Sequence, residues 1–267
     1  MFHLSRRTGY DWVVRQEMII VAYPCILPLN SRPVNILSEA TVQAAQLVAG
    51  GDPKLVQIVL LSLRVSLTAV LLACLIGLPF GAAIAVSRFA GRRSVIVVLN
   101  AMMGLPPVVV GLVVYLLLSR AGPLGSFGML FTPTAMVIAQ TILIVPIVAA
   151  LSRQVVEDAW QEYREQLKSL GESRLGAAAT LLWDLRFSLV TIVLAGFGRA
   201  AAEVGAVIIV GGNIDGVTRV MTTAIALETS KGDLPLALGL GIILLTIVLA
   251  LNAAAYIVKE TAQRRYG

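Results

Sequence analysis

Arg199 and Glu203 are the residues whose types and spacing most directly suggest chemistry in this chain. They carry opposite charges and stand four positions apart inside a long apolar run. On a helix this spacing places both side chains on one face, where they can form an ion pair. A charge near the centre of a bilayer costs about 3 kcal/mol, so a retained pair should face the interior of a helix bundle. The pair is a gate in a permeation path, an internal ion pair that fastens helices, or a pair whose arginine lies at the inner membrane surface.

Further candidate pathway residues lie where regular structure is interrupted. Pro106 and Pro107 stand in the middle of an apolar run, where prolines break the helical hydrogen bonds. Carbonyl groups freed in a membrane are tolerated only against other helices or a water-filled cavity, so these prolines either line a pathway or form a purely structural kink. A later segment rich in glycine and threonine contains Asn213 and Thr222, and it can expose backbone amides to an anion.

Several kinds of chemistry are excluded by what the sequence lacks. His3 is the single histidine, and Cys25 and Cys74 stand in apolar surroundings without the spacing of a metal site. We therefore expect no catalytic residue, no metal and no cofactor. No lysine follows a glycine, so a phosphate-binding loop of the Gly-Lys-Ser/Thr type is absent. The chain is therefore predicted not to be an ATPase of that type, and we expect that it is not an enzyme.

The composition is typical of a protein embedded in the lipid bilayer. Hydrophobic residues make up 58% of the chain and charged residues 13%, and the mean hydropathy is +0.87. The net charge of +6 arises from basic residues between apolar runs, which are topology signals rather than a nucleic-acid surface. We predict an all-α, polytopic membrane helix bundle of about five transmembrane helices, the third of which carries Gln140. The predicted spans are residues 65–86, 94–118, 133–151, 187–210 and 235–258.

Two basic clusters predict the orientation of these spans. They follow the first and the last span, and consist of Arg88, Arg92 and Arg93 and of Lys259, Arg264 and Arg265. Basic residues accumulate in cytoplasmic loops, so the C-terminus, with a tail at residues 261–267, is predicted to be cytoplasmic. The loops at residues 119–132 and 211–234 are then external. The chain is expected to be a multi-pass protein of the cytoplasmic (inner) membrane.

Residues 1–54 are predicted to be an N-terminal extension, partly disordered, ahead of a membrane domain at residues 55–260. The apolar run from Met18 to Leu29 is too short to cross a bilayer, and residues 36–48 have the pattern of a short amphipathic helix. The segment is a signal peptide, an interfacial anchor, a weak sixth span or an over-extended reading frame, and we favour five spans. Asp52 and Pro53 then predict the start of a helix.

The platform, residues 152–186, is the long polar interruption in the apolar C-terminal two thirds of the chain. Large apolar residues recur in it at spacings of four and three, which predicts an amphipathic helix; they are Val156, Trp160, Tyr163, Leu167 and Leu170. Gly171 is suited to end that helix in the left-handed conformation, and Ser173 is suited to cap the next one. The platform is either an ordinary solvated loop or a docking site for a soluble partner.

The platform resembles the EAA-type cytoplasmic loop of type I ABC importer permeases, in which a helix-turn-helix inserts into a groove of the ATP-hydrolysing subunit. The resemblance rests on Glu165 and Gly171 six positions apart after the third span, although Gln166 and Leu167 replace the usual alanines. It implies an ATPase-coupling loop formed by Glu165, Lys168, Ser169, Leu170, Gly171 and Arg174. It also implies a homodimer in the lipid bilayer, two ATPase subunits and an extracytoplasmic substrate-binding protein.

The segment from Glu203 to Asn213, followed by the segment from Asp215 to Thr223, is most similar to tungstate permeases within that family. The resemblance therefore implies the membrane subunit of an ABC importer that translocates an oxyanion, tungstate, driven by a separate ATPase. The alternative is a passive channel or an ion-coupled carrier for a small anion, in which Arg199 and Glu203 serve the permeating ion directly.

Overall fold

The computed structural model describes residues 41, 42, 46 and 50–266, so the extension predicted at residues 1–54 lies largely outside it. Between residues 50 and 266 the chain folds into helices, with a short 3₁₀ turn at Gly125–Phe127. In chain order the helices are α1 (Pro53–Val86), α2 (Arg92–Met103), α3 (Pro107–Leu118), α4 (Pro133–Ser169), α5 (Arg174–Asp184), α6 (Arg186–Ala201), α7 (Gly205–Gly211), α8 (Met221–Lys231) and α9 (Leu234–Tyr266).

Three of these helices, α1, α4 and α9, are long and apolar enough to cross a membrane. Two pairs of consecutive helices are sharply bent: α2 and α3 meet at 98°, and α5 and α6 meet at 79°. If each bent pair counts as one span, two further spans are added. The predicted all-α membrane bundle is confirmed, and the predicted number of about five spans is the upper end of the three to five that the described helices allow. Helix α5 lies in the predicted platform, so the fourth predicted span corresponds to α6 and α7. The interruption at Pro106 and Pro107 is also confirmed, as a sharp break in which Pro107 begins α3.

The first and third spans are longer than predicted. The Asp52 carboxylate accepts a hydrogen bond from the backbone N–H of Lys54 at 2.8 Å, as expected for a helix start, and α1 then continues for 34 residues without a break. Likewise α4 runs for 37 residues, because no glycine interrupts it where the apolar span passes into the polar platform. The change in polarity at residue 152 marks a change of surroundings, not the end of a helix.

The predicted external loop at residues 211–234 is not a simple loop. It contains α8, whose buried residues include Met221, Thr223 and Ala224. Met221 and Ala224 pack in one apolar cluster with Leu55 of α1 and Leu240 of α9. The prediction missed α8 because its apolar stripe is short and is interleaved with threonines.

Helices α1 and α4 pack closely where α1 carries glycines. A methyl group on Gly81 would lie 2.4 Å from the carbonyl oxygen of Ala149 and 2.1 Å from Ser152 Oγ. Ser152 Oγ in turn donates a hydrogen bond to the carbonyl oxygen of Gly77 at 3.3 Å. The two backbones can therefore approach only because these positions lack a side chain.

We predict that Gly81→Ala destabilises the protein by about 1–3 kcal/mol, because a backbone carbonyl must move to admit the methyl group. Gly241→Ala in α9 is the matched control, since nothing lies within 4 Å of the added methyl group. That control should be neutral or slightly stabilising because alanine favours helix more than glycine does. Thermal unfolding in detergent measures both, and equal stability of the two variants would contradict the close packing.

Candidate translocation and docking sites

The fourth predicted span, residues 187–210, is broken after α6, and Glu203 lies in the break with only 3% of its surface exposed. Its carboxylate forms the predicted ion pair with Arg199 and also accepts a hydrogen bond from the backbone N–H of Ala206 at 3.0 Å. Thr222 Oγ1 donates a hydrogen bond to the carbonyl oxygen of Glu203 at 2.9 Å. Glu203 thus neutralises an arginine on one side of the break and caps α7 on the other.

Gln140 connects this break to α4. Its Nε2 donates a hydrogen bond to the carbonyl oxygen of Ala200 at 3.2 Å, in the last turn of α6. Its Oε1 is buried and has no hydrogen-bond partner in the described chain. The sequence marks Gln140 only as a polar residue in an apolar span, and nothing in it indicates this partner 60 residues away.

The two interrupted spans meet at their breaks. A methyl group on Gly205, the first residue of α7, would lie 2.9 Å from Cγ2 of Val108, next to Pro107. A methyl group on Gly111 would similarly lie 2.8 Å from the α-carbon of Ala206. The structure therefore brings Pro107 close to the segment that holds Arg199 and Glu203.

Asn213 lies beyond the far end of α7, at a positive φ of 49°. Its Nδ2 donates a hydrogen bond to the carbonyl oxygen of Thr223 at 3.4 Å, while its Oδ1 is buried and unpaired in the described chain. The backbone N–H groups of Gly212 and Ile214 are engaged with Ile208 O and Thr218 Oγ1. The expectation that this segment offers free amides to an anion is therefore wrong for these two groups.

The platform forms the predicted helix-turn-helix. Gly171 adopts the left-handed conformation at a φ of 76°, and Ser173 Oγ accepts a hydrogen bond from the backbone N–H of Gly176 at 3.0 Å. Leu167 belongs to a buried apolar cluster that also contains Ala82 and Ala85 near the end of α1, and this cluster holds the platform on the bundle.

The apolar stripe of the platform is only partly buried. Val156 and Leu167 are buried as expected, whereas Tyr163 is 37% exposed and Leu170 78% exposed. Leu175 is also 71% exposed. The tip of the platform, residues 165–175, therefore has two solvent-exposed leucines.

Polar residues of the predicted coupling loop surround these leucines. Glu165 pairs with Lys168 at 3.2 Å, Ser169 Oγ donates a hydrogen bond to the carbonyl oxygen of Gln166 at 2.7 Å, and Arg174 is exposed. The tip and the break are separate sites. Gln140 and Ser169 are 29 residues apart on one helix, a length of about 44 Å.

Interrupted spans around a buried ion pair, together with a projecting helix-turn-helix, define a polytopic membrane transport subunit. The chain belongs to the family of binding-protein-dependent transport system inner membrane components, whose model matches residues 77–267. It is therefore the permease subunit of an ABC importer. Membership implies an inner-membrane location, a non-enzymatic membrane role, and an ATPase and a substrate-binding protein as partners.

Three curated relatives cover most of this chain. It is 41% identical over 84% of its length to the tungstate uptake system permease protein TupB of Peptoclostridium acidaminophilum, of which it covers 98%. It is 42% identical over 80% of its length to a probable anion ABC transporter permease protein of Haloferax volcanii, of which it covers 94%. The molybdenum transport system permease protein ModB of Escherichia coli is 31% identical over 66% of this chain, with 82% of ModB covered.

We predict that Arg199→Met destabilises the protein by about 3 kcal/mol, because it leaves the buried Glu203 carboxylate without a countercharge. Glu203→Gln should cost less, since the amide oxygen can still cap α7 and the partly exposed Arg199 can reach water. Adding Glu203→Gln to Arg199→Met should restore much of the lost stability.

The three variants are compared by their thermal stability in detergent, measured as the temperature above which monodisperse protein is lost. Wild-type stability of Arg199→Met would contradict the ion pair, and so would a double variant less stable than Arg199→Met.

Proposed function

We propose that this chain translocates an oxyanion, tungstate, across the cytoplasmic membrane as one half of a homodimeric permease. The observation that supports tungstate as the substrate is the 41% identity to a tungstate uptake permease, which the chain covers almost end to end. The lower identity to the molybdenum permease supports tungstate as the preferred of the two anions. An external binding protein delivers the anion, and two copies of a separate ATPase subunit drive the transport.

The tip of the platform receives the ATPase. Leu170 and Leu175 are both more than two thirds exposed on either side of the Gly171 turn. Exposed leucines at the end of a rigid helix are suited to insert into an apolar groove of a partner, and Glu165, Lys168 and Arg174 form a polar rim around them. This assignment places the platform and the C-terminus in the cytoplasm.

Helix α4 transmits the motion of the ATPase to the membrane break. It is continuous from Pro133 to Ser169, so a push at the tip moves the whole helix. Gln140 on the same helix holds the carbonyl oxygen of Ala200 next to the break. When Gln140 moves, the segment that contains Glu203 loses this hydrogen-bond support. That segment is the part of the permease that opens and closes.

The residues around the two breaks border the translocation path, together with one residue beyond the far end of α7. Those around the breaks are Pro106, Pro107, Arg199, Glu203 and Thr222, and the one beyond α7 is Asn213. An unpaired arginine would hold an oxyanion tightly, whereas Arg199 shares its charge with Glu203. A moderated positive potential lets a divalent anion enter and also leave, which a transport path requires.

A reconstituted transport assay separates this function from a passive channel or an ion-coupled carrier. Proteoliposomes that hold the permease and its ATPase, supplied with the binding protein, should accumulate tungstate only when ATP is available to the ATPase. Equal accumulation without ATP would favour the carrier and overturn the proposal.

We predict that Gly171→Val abolishes co-purification of the ATPase while membrane insertion stays intact. A β-branched residue at a φ of 76° is strained by at least about 1–2 kcal/mol, which reshapes the turn that positions Leu170 and Leu175. Gly128→Val is the matched control, because Gly128 also has a positive φ, 60°, and nothing lies within 4 Å of an added methyl group at either position. Normal ATPase recovery with Gly171→Val would count against docking at the tip, as would equal loss with Gly128→Val.

A further inference from the structure

A cavity of about 330 Å³ lies between the end of α1 and the platform half of α4. Ser87 and Arg88 line it from the connection after α1, and Arg92 lines it from the start of α2. On its other side lie residues of α4 between Glu157 and Glu165. The volume is at the lower end of the range for small-molecule sites and is ample for one phosphate-bearing group.

This cavity is lined by hydrogen-bond donors that have no acceptor. Ser87, Arg88, Trp160 and Gln161 all carry donor groups in their side chains, and among the described residues none of these side chains has a hydrogen-bond or ion-pair partner. Arg88 is also exposed, so its guanidinium is free to turn toward a ligand. Arginine and tryptophan side chains carry donors and no acceptor, and free donors of this kind suit an oxyanion.

The carboxylates of the cavity are already engaged by other cations. Glu157 accepts from Arg92 Nη2 at 2.7 Å and forms a second ion pair with Arg153, whose Nε is buried without a partner. Glu165 lies 3.2 Å from Lys168 Nζ. Among the residues that line the cavity, Arg88, Arg92 and Arg164 stand against the two carboxylates of Glu157 and Glu165, which leaves one uncompensated positive charge.

Arg92 is already engaged by the protein, so the other arginines of the cavity are the ones available to a ligand. Its Nε donates to the carbonyl oxygen of Ile84 at 3.0 Å, and its Nη2 donates to that of Ala85 at 3.4 Å, so it caps the end of α1. Arg164 has only a long contact of 3.8 Å to Glu165, whose side chain is 82% exposed. Arg88 and Arg164 are therefore the two cations available to an incoming anion.

The position of the cavity along the helices indicates the source of the anion. It lies where α1, a membrane-spanning helix, ends at Val86, while Val97 and Val98 on the adjoining α2 are 66% and 56% exposed, as suits contact with lipid. Leu170 at the tip of the platform is about 20 Å further along the direction of α4 from Glu157. The cavity is thus at the level of lipid headgroups, and the partner-binding tip is well beyond it.

We propose that this cavity binds the phosphate group of an anionic membrane lipid, held by Arg88 and Arg164 with Trp160, Gln161 and Ser87 as further donors. Basic pockets between membrane helices suit such headgroups. The bound lipid would fasten the connection between α1 and α2 to the helix that carries the platform. Assignment to the inner leaflet rests on the proposed function, which places the platform in the cytoplasm.

Native mass spectrometry of the full-length permease with added lipid tests this site. Phosphatidylglycerol should bind more tightly than phosphatidylcholine, and Arg88→Gln and Arg164→Gln should each weaken phosphatidylglycerol binding by about fivefold or more. Arg93→Gln is the matched control, because Arg93 is an exposed arginine in the first turn of α2 that does not line the cavity. It should change the affinity less than about twofold, and millimolar inorganic phosphate should not displace the lipid.

Four results would overturn the proposal. Unchanged phosphatidylglycerol affinity in both cavity variants would exclude the site, and an equal loss in Arg93→Gln would show only a general effect of surface charge. Displacement of the lipid by inorganic phosphate would identify a site for a free oxyanion. Loss of ATPase binding in Arg164→Gln at unchanged lipid affinity would identify a protein contact. Lipid affinity is measured on the permease alone, so its outcome is independent of whether tungstate is transported.

Discussion

A membrane helix can be interrupted only if each freed backbone group finds a partner in the protein or in a water-filled cavity, and at the break between α6 and α7 side chains of the protein supply partners. Glu203 supplies the cap for α7, and Thr222 donates to the carbonyl oxygen of Glu203. Gln140 donates to the carbonyl oxygen of Ala200 just before the break. These partners come from three different segments of the chain, so the geometry of the break is set by the packing of the whole bundle.

The same side chains also connect the break to the rest of the molecule. Gln140 lies on the helix that carries the platform, and Thr222 lies on α8, which packs against α1 and α9. Because α4 is one continuous helix from the bundle to the platform, it links two sites that share no residue. The cavity beside Arg88 lies along this element, so an anionic lipid bound there would hold α4 against the loop after α1.

The sequence predicts much of this structure wherever the determinant is local. The Asp52 cap, the left-handed turn at Gly171, the Ser173 cap and the ion pair of Arg199 with Glu203 all depend on residues within four positions of one another. The interruption at Pro106 and Pro107 is equally local, because proline lacks the N–H that a helix needs.

Features that depend on distant partners are not predictable in this way. The segment from Ala200 to Val204 contains neither glycine nor proline, and it leaves the helix because Gln140 and Thr222 satisfy its carbonyl groups. The sequence of α8 resembles that of a loop, and the helix is stabilised by packing of its apolar residues with Leu55 and Leu240.

Transport of tungstate into the cell by an ATP-driven importer that contains this chain is best tested in living cells. The tungsten and molybdenum content of cells with and without the gene can be measured by mass spectrometry at nanomolar supply of both oxyanions. We expect a selective loss of tungsten in the deletion and its recovery when the gene is restored. Unchanged content of both metals would contradict the assignment of tungstate and leave an ABC permease for another cargo.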